Sequence, residues 1–250
     1  MDLKGKIAVI TGSTGGMGRV IVDRLDHEGV VCVLLGTKED ELKTLLGSLK
    51  TEGGRYYAAN FADEKEMLSA SERISKEVGD IDVLINLAGI GIYKQIEDVS
   101  LDDWQNSFSV GVTAPYFLTK ALIGNLAKSE LSLVLNMGSG AGVIPMAGRS
   151  VYCASKFALR GATLSLAEEF KKAKPNFCLI TMGSTLTPFG PMSLEEKKKE
   201  MEEGKAYFTP DWVADKLVSI IKDDARETEY TFYPTDYVGG SWKLPEAESK

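Results

Sequence analysis

Short apolar runs alternate with longer amphipathic segments along the chain, and this alternation limits the possible folds more than any other feature. Six runs have the length and composition of strands: KIAVI (6–10), VCVLL (31–35), RYYAAN (55–60), DVLIN (82–86), LVLNM (133–137) and CLITM (178–182). Helical periodicity fills the intervals, at about 17–28, 39–50, 63–78, 101–128, 150–173 and 210–222. This spacing predicts a parallel sheet. Because the runs lack polar alternation, we expect helices on both faces of the sheet.

The composition of the chain excludes several classes of protein. A net charge of −7 over 250 residues offers no excess of cations to a nucleic acid or to an anionic membrane. The single histidine, His27, argues against a Ser-His-Asp hydrolase or a multi-histidine metal site. Three cysteines without paired spacing predict no disulfide framework and no metal site, and favour a cytoplasmic location. No apolar run reaches the roughly 18 residues of a membrane span.

A glycine-rich loop, TGSTGGMGR, directly follows the first apolar run. Gly12, Gly16 and Gly18 join a predicted strand to a predicted helix, and glycine lets backbone N–H groups approach a ligand closely. The N-terminus of the following helix carries a partial positive charge that suits a pyrophosphate. A tight turn without a ligand is the alternative, but the position between strand and helix favours a dinucleotide site.

The end of the second run bears on the choice of dinucleotide. A fold that prefers NAD places an Asp or Glu there for the ribose hydroxyls. This sequence reads VLLGTKEDE, with Gly36 at the expected acidic position and Thr37 and Lys38 after it. No carboxylate there would repel a 2′-phosphate, and Lys38 offers it a cation, which favours NADP(H). Glu39 and Asp40 are close enough in sequence to keep NAD(H) open.

Three residues form a candidate catalytic set. The segment SVYCASKFAL places Tyr152 and Lys156 four residues apart, on one face of a predicted helix. A free tyrosine has a pKa of about 10, and a neighbouring ammonium lowers it by stabilising the phenolate. Ser139 follows the fifth run, where its hydroxyl can bond a substrate carbonyl. This stretch is not the nucleophile elbow of hydrolases, because Met137 stands where the first glycine belongs.

In this order, these features resemble the short-chain dehydrogenase/reductase family over about residues 3 to 235. TGSTGGMG fits the family's Thr-Gly-xxx-Gly-x-Gly, and YCASK fits its Tyr-x-Ala-Ser-Lys. NLAG (86–89) fits Asn-Asn-Ala-Gly with Leu87 for the second Asn, and TMGSTLTP (181–188) fits Pro-Gly-x-x-x-Thr with Met182 for proline. The resemblance implies one Rossmann-type α/β domain over residues 1–250, with a doubly wound, mainly parallel, seven-stranded sheet.

The resemblance implies a role for each matching residue. Tyr152 would exchange a proton with the substrate, and Ser139 would orient and polarise its carbonyl. Lys156 would lower the pKa of the tyrosine and hold the nicotinamide ribose. Besides Tyr152 and Lys156, the implied cofactor contacts are Gly12, Ser13, Thr14, Gly16, Met17, Gly18, Thr37, Lys38, Asn60, Phe61, Asn86, Ala88, Gly89, Gly183, Thr185 and Thr187. Asn60 replaces the acidic residue that binds adenine in the family, and its amide can still accept a hydrogen bond.

The segment SVGVTAP (109–115) departs from the family pattern. The position of the fourth catalytic residue, an asparagine in the family, falls here on Gly111. In the family this residue marks a kink, and its main-chain carbonyl holds a water that links the lysine to solvent. Glycine keeps the carbonyl and lacks the amide, and Pro115 has no N–H to bond that carbonyl. We therefore expect the helix to bend at Gly111 with the carbonyl free, or the glycine to serve a close helix–helix contact.

The surroundings of the catalytic set predict a moderately apolar substrate pocket. Besides Ser139 and Tyr152, its expected walls are Ile92, Tyr93, Gly140, Met146, Phe189 and Met192. The charge-dense stretch 193–205 predicts a solvated helix, or part of a mobile substrate lid over about residues 188–209. The resemblance also implies a homodimer or homotetramer assembled through the helices at 101–128 and 150–173.

Two functions stay open at this point. The first is an oxidoreductase that uses NADP(H), or else NAD(H), to move a hydride between the nicotinamide and a small-molecule carbonyl or secondary alcohol. The second is a catalytically impaired dinucleotide-binding sensor or partner subunit. Gly111, Leu87, Asn60 and Met182 favour the second, whereas the presence of the complete catalytic set opposes it.

Overall fold

The computed structural model of the protein describes residues 1–240, so residues 241–250 of the predicted domain lie outside the described part. Its strands are β1 (Ile7–Thr11), β2 (Val31–Gly36), β3 (Arg55–Ala58), β4 (Val83–Asn86), β5 (Leu133–Met137), β6 (Asn176–Met182) and β7 (Glu229–Phe232). They form one sheet in the order β3-β2-β1-β4-β5-β6-β7, and every neighbouring pair is parallel. The predicted Rossmann-type fold with seven strands is confirmed.

Helices follow the strands on both faces of the sheet. They are α1 (Gly16–His27), α2 (Glu39–Ser48), α3 (Glu64–Glu77), α4 (Leu101–Phe108), α5 (Ala114–Leu126), α6 (Ser150–Glu169), α7 (Leu194–Glu202), α8 (Pro210–Lys222) and α9 (Pro234–Tyr237). Short 3₁₀ turns occur at Ile96–Asp98 and Gly140–Gly142. None of the helices within residues 1–240 combines the length and the apolar composition that crossing a membrane requires.

Each face of the sheet has its own hydrophobic core, because successive residues of a strand point to opposite sides. In β1, Val9 packs in the core beneath α3 and α5, whereas Ile10 packs in the core beneath α1 and α8. Both side chains are fully buried. Two buried faces explain why the strands appear in the sequence as continuous apolar runs rather than as alternating ones.

The seventh strand has no apolar run in the sequence. β7 lies at the edge of the sheet and pairs only with β6. Within its four residues, EYTF, only Phe232 is buried, and Thr231 is exposed. A short edge strand with one buried side chain leaves no periodic signal, so the family resemblance predicts it and hydrophobic periodicity does not.

The long helix predicted at 101–128 is interrupted at the expected place. Residues Ser109–Thr113 form a π-helical turn between α4 and α5, and the Ala114 N–H bonds the Ser109 carbonyl five residues earlier. Pro115 has no N–H for the Gly111 carbonyl, so the regular α-helical ladder cannot continue there. A Cβ on Gly111 would meet Ser155 at 3.6 Å, an ordinary contact. Helix packing alone therefore does not require glycine at this position.

The helices differ in whether a side chain caps their N-terminus. Ser100 and Ser193 begin α4 and α7 with capping boxes, and Asp63 caps α3. In contrast, α1 and α6 begin without a side-chain cap and without an acidic residue in the first turn. Their first N–H groups and the positive end of their dipoles stay available to an anion.

Candidate active site

Most of the predicted site residues lie where strands end, on loops at one edge of the sheet or at the start of the helices that follow. Parallel strands share a direction, so the segments after β1 to β6 meet there. These segments include residues 12–18, 37–38, 60–61, 88–93, 139–146 and 183–192, in chain order. The strand order reverses between β1 and β4, and this reversal opens a crevice in which such sheets bind ligands.

The backbone geometry and the close neighbours of the glycine-rich loop explain its three glycines. Gly12 has φ +68, and a Cβ there would lie 3.1 Å from the Ala88 backbone of the loop after β4. A Cβ on Gly18 would lie 2.1 Å from the Gly12 carbonyl oxygen, so Gly18 closes the turn itself. A Cβ on Gly16 would meet Thr187 at 2.9 Å, which brings the loop after β6 to the start of α1. The loops after β4 and β6 therefore both meet the glycine turn, so that three loops come together here.

Hydroxyl groups hold the glycine loop in place. Thr11 Oγ1 accepts the N–H groups of Leu87 and Ala88, each at 3.0 Å. Ser13 is fully buried, donates its hydroxyl to the Ile10 carbonyl and accepts the Leu35 N–H. The Ser13 side chain therefore joins β1 to β2, and its backbone N–H also donates to the Leu35 carbonyl at 3.1 Å, so neither group is left for a ligand. Thr11 belongs to the glycine motif, and that membership is the signal that could have identified it.

An ion-pair cluster of Lys38, Arg19 and Glu41 lies at the end of β2, and only Lys38 was predicted from the sequence. Lys38 Nζ lies 2.8 Å from a Glu41 carboxylate oxygen, and Arg19 lies 2.5 Å from the other oxygen. Hydrogen bonding from Lys38, with the charge of Arg19, lowers the pKa of Glu41. Thr14 Oγ1 is close by, 3.3 Å from where a Gly36 Cβ would lie. Two cations thus share one carboxylate beside the predicted ribose position.

The three candidate catalytic side chains come together at the start of α6. Tyr152 and Lys156 lie on successive turns of this helix and are 6% exposed each. A hydrogen bond joins the side chains of Tyr152 and Ser139. Lys156 Nζ donates to the Met137 carbonyl at 2.7 Å and lies 5.9 Å from the centre of the Tyr152 ring. A buried phenol and a buried ammonium therefore lie close together, with the partly buried Ser139 hydroxyl beside the phenol.

Burial controls the protonation of this group. It raises the pKa of Tyr152 above its ordinary value, although the Ser139 hydrogen bond and the charge of Arg149 act in the other direction. Burial also lowers the pKa of Lys156 to about 8. The expected depression of the Tyr152 pKa by Lys156 is not seen in this structure, where burial sets the direction of the shift, and near neutral pH the phenol keeps its proton.

An aromatic cluster surrounds Tyr152, and the predicted substrate walls contribute most of it. It consists of Tyr93, Ala141, Met146, Tyr152, Cys153 and Phe189. The Tyr93 ring meets the Tyr152 ring edge-on, with 5.5 Å between the ring centroids. The Phe189 ring is tilted relative to the Tyr152 ring, and their centroids are 5.8 Å apart. Ile92 and Met192 are partly buried on the same two loops. Gly140 is buried, and a Cβ there would meet the Tyr233 ring at 3.5 Å.

Arg149 and Tyr233 stand beside this cluster, although the sequence reasoning did not identify them. The Arg149 guanidinium lies 4.3 Å from the centre of the Tyr93 ring. Arg149 lies three residues before Tyr152, and this closeness in sequence could have identified it as a residue of the site. Tyr233 follows β7, which has no periodic signal, so its approach to Gly140 could not be read from the sequence.

A buried lysine anchors the loop after β6. Lys197, on the charge-dense helix α7, is 8% exposed and donates to the carbonyls of Thr187 at 2.7 Å and Phe189 at 2.6 Å. Burial lowers the pKa of Lys197. At the base of the same segment, Thr185 pairs with Phe208 in a parallel bridge. The residues predicted as a lid are therefore tied to the loop that carries Thr187 and Phe189.

The remaining predicted cofactor contacts include one unusual polar atom. Asn86 is 2% exposed, donates to the Asn136 side chain at 2.8 Å, and leaves its own Oδ1 without a partner. Gly89 lies beside Lys156, because a Cβ there would be 3.9 Å from Lys156 Nζ. Gly183 packs against α9. Asn60 is exposed and accepts the N–H of its own loop, whereas the Phe61 side chain is in the core.

These residues fit a dinucleotide. The uncapped N-terminus of α1 offers N–H groups to a pyrophosphate beside glycines that a Cβ would crowd. Asn86 Oδ1 is a buried acceptor without a donor, and two cations stand at the end of β2. Within residues 1–240, no group of three or more His, Cys, Asp or Glu side chains is arranged to hold a metal ion.

Comparison with known proteins finds similarity to short chain dehydrogenases and reductases. The family model for the short chain dehydrogenases matches residues 6–198. The 3-oxoacyl-(acyl-carrier-protein) reductase FabG of Haemophilus influenzae is 29% identical over 196 residues, 78% of this chain and 81% of that protein. The D-threitol dehydrogenase of Mycolicibacterium smegmatis is 26% identical over 230 residues, 89% of this chain and 88% of that protein.

Solved structures share the fold. A short chain dehydrogenase from Burkholderia cenocepacia in complex with NADP superposes with a TM-score of 0.80 at 25% identity, covering 96% of this chain and 99% of that one. An alcohol dehydrogenase from Thermococcus sibiricus, complexed with 5-hydroxy-NADP, has a TM-score of 0.82 at 22% identity and covers 96% and 100%.

We predict that Lys197→Met loosens the loop after β6. Two carbonyls lose a charged donor, and such hydrogen bonds contribute about 1.5–3 kcal/mol each. We expect a lower Tm and a several-fold weaker binding of NADPH, measured by differential scanning fluorimetry and by nicotinamide fluorescence titration. Lys198→Met, at an exposed position of the same helix, is the matched control. Equal Tm and Kd values for the two variants would contradict the anchoring role.

Proposed function

The chain belongs to the short-chain dehydrogenase family and is an NAD(P)-dependent oxidoreductase, and on this premise we propose its reaction and its preferred cofactor. The proposed reaction is an NADP(H)-dependent hydride transfer to or from a carbonyl or secondary alcohol, with Tyr152 as the general acid/base. The observation that carries the proposal is the pair of buried residues Tyr152 and Lys156 together with the partly buried Ser139, at the carboxyl end of the sheet that also carries the glycine-rich loop.

Tyr152 supplies the proton in the direction of carbonyl reduction. Since burial raises the pKa of Tyr152, the phenol is protonated throughout the neutral range and can donate to a developing alkoxide. The Ser139 hydroxyl, hydrogen-bonded to Tyr152, orients the same oxygen and stabilises its charge. A bound nicotinamide supplies or accepts the hydride in this chemistry.

Lys156 acts through its charge and its position. Although burial lowers its pKa to about 8, the ammonium predominates at neutral pH. A positive charge 5.9 Å from the Tyr152 ring eases the loss of the phenolic proton during the reaction. The same ammonium would hold the nicotinamide ribose. Gly111 takes the place of the family's asparagine in this proposal, and its carbonyl, which Pro115 cannot bond, serves the proton relay.

The proposed cofactor contacts follow the three converging loops. The N-terminus of α1 with Gly12, Gly16 and Gly18 would hold the pyrophosphate. Thr187 would meet the nicotinamide end. The preference for NADP(H) rests on Lys38 and on Arg19, which share a single carboxylate and together retain one positive charge for a 2′-phosphate.

The pocket walls support a partly apolar carbonyl substrate. Tyr93, Met146 and Phe189 surround Tyr152 with aromatic and aliphatic surface.

The proposal also includes a cytoplasmic location, which three free and buried cysteines support. We further propose a homo-oligomer assembled through α5 and α6, where Tyr116, Phe117 and Phe157 expose large apolar side chains.

We predict that Tyr152→Phe abolishes most of the carbonyl reduction by NADPH. The variant loses the proton donor, and general acid catalysis typically contributes about 10²–10⁴-fold. Cofactor binding should stay within twofold of the wild type, because the ring itself is kept. Initial rates followed by NADPH absorbance and a fluorescence titration measure the two effects. Tyr237→Phe, at an exposed position, is the control. A wild-type rate in the Tyr152→Phe variant would refute the proposed role.

We predict that Lys38→Ala weakens NADPH binding and leaves NADH binding nearly unchanged. Loss of one phosphate contact should raise the Kd for NADPH by about tenfold, which corresponds to about 1.4 kcal/mol. Titration of both cofactors against both proteins measures the difference. Lys43→Ala removes an exposed lysine within α2, paired with Glu39, and serves as the control. Equal losses for the two cofactors would rule out recognition of the 2′-phosphate by Lys38.

A further inference from the structure

Arg149 occupies a distinctive place next to the catalytic tyrosine. It is the residue before α6, three positions ahead of Tyr152, and it is partly buried. Its guanidinium carbon lies 4.3 Å from the centre of the Tyr93 ring, and the Tyr93 ring lies 5.5 Å from the Tyr152 ring. One aromatic ring therefore separates a permanent positive charge from the proposed proton donor.

This charge has no acidic partner within residues 1–240. Arg19, Arg73 and Arg160 each lie within 3.4 Å of a carboxylate oxygen, whereas Arg149 forms no ion pair in the described part of the chain. Its Nη1 donates only to Met146 Sδ at 3.6 Å, and a thioether is a weak acceptor. A partly buried guanidinium without a counter-ion is costly, so a ligand anion would gain from filling this role.

The surroundings of Arg149 add positive potential and no free carboxylate. Helix α6 begins there without a side-chain cap or an acidic residue in its first turn. Lys197, whose charge interacts with that of Arg149, is bound to backbone carbonyls. The Glu200 carboxylate is already bound by Lys205 and Tyr207. In a protein with a net charge of −7, this corner of the pocket is locally cationic.

The chemistry of the side chain indicates what would bind. A guanidinium can stack through its face while the N–H groups at its edge hold a carboxylate by two hydrogen bonds. Lys197 is bound to two backbone carbonyls, so Arg149 is the cation here whose N–H groups can meet a ligand. One such cation balances the single charge of a carboxylate, and a phosphate dianion would need two. The aromatic and aliphatic walls would hold the carbon chain between this anion and the reacting carbonyl.

We propose that the substrate is an oxo acid or hydroxy acid whose carboxylate binds Arg149 while its carbonyl or alcohol lies at Ser139 and Tyr152. This inference rests on the proposed oxidoreductase function and deepens it, because it names the substrate class. Arg149 is thus a specificity-determining residue of the same site.

The experiment compares acids with their neutral esters. Acetoacetate and 4-oxopentanoate are each paired with the methyl ester and assayed for NADPH oxidation with wild type, Arg149→Met and Arg149→Lys. We expect at least a tenfold preference of the wild type for each acid in kcat/KM. Arg149→Met should lose that preference, because its kcat/KM should fall much further for the acid than for the ester, and Arg149→Lys should retain part of the preference. Arg73→Met, which removes an arginine stacked on the distant Tyr57 ring, is the matched control and should behave as wild type.

A second measurement does not depend on turnover. The same ligands are added to the protein loaded with NADP⁺, in which an oxo compound cannot be reduced, and the Tm is recorded. Stabilisation by the acid but not by the ester, lost in Arg149→Met, supports the inference even if no carbonyl in the panel is reduced. In that event the choice of reaction fails and the anion site stands. Equal responses to acid and ester, no response to either, or equal losses of both in Arg149→Met would overturn the inference.

Discussion

The structure depends on two hydrogen bonds that Thr11 accepts at the point where the strand order reverses. Its hydroxyl binds the Leu87 and Ala88 N–H groups, and Gly12 brings the backbone after β1 to within van der Waals contact of the segment after β4. These contacts hold the two loops on either side of the crevice in register. Without them, the glycine turn and the segment that carries Gly89 toward Lys156 would not share one cleft.

The second organising constraint is a sheet buried on both faces. Because the strands admit few polar groups, the chemistry is displaced to their carboxyl ends, where Tyr152, Lys156 and Ser139 collect. Burial then acts on these groups directly. It disfavours the phenolate of Tyr152 and the ammonium of Lys156 alike. The tyrosine therefore keeps its proton, and the pKa of the lysine, about 8, lies close to neutral pH. The same low-polarity setting makes the unpaired guanidinium of Arg149 a strong selector of ligand charge.

Much of this could be predicted from sequence because the signals are local. The pair Tyr152 and Lys156 needs only helical spacing, and six strands need only continuous apolar runs. Contacts between distant segments leave no such signal. Nothing local indicates that Lys197 reaches back to the loop after β6, or that Arg19 and Lys38 share Glu41. The break at Gly111 was foreseeable because Pro115 removes an N–H, but no residue pattern in the sequence indicated its π-helical form.

The central claim is that this buried site moves a hydride and does more than bind a dinucleotide. The most direct test uses NADPH carrying deuterium at both C4 positions of the nicotinamide, together with a panel of carbonyl compounds, and analyses the products by mass spectrometry. The account predicts an alcohol product one mass unit heavier, with the label on the former carbonyl carbon and equal consumption of cofactor. Tight binding of NADPH without labelled product from any carbonyl would contradict it and would indicate a cofactor-binding protein without turnover.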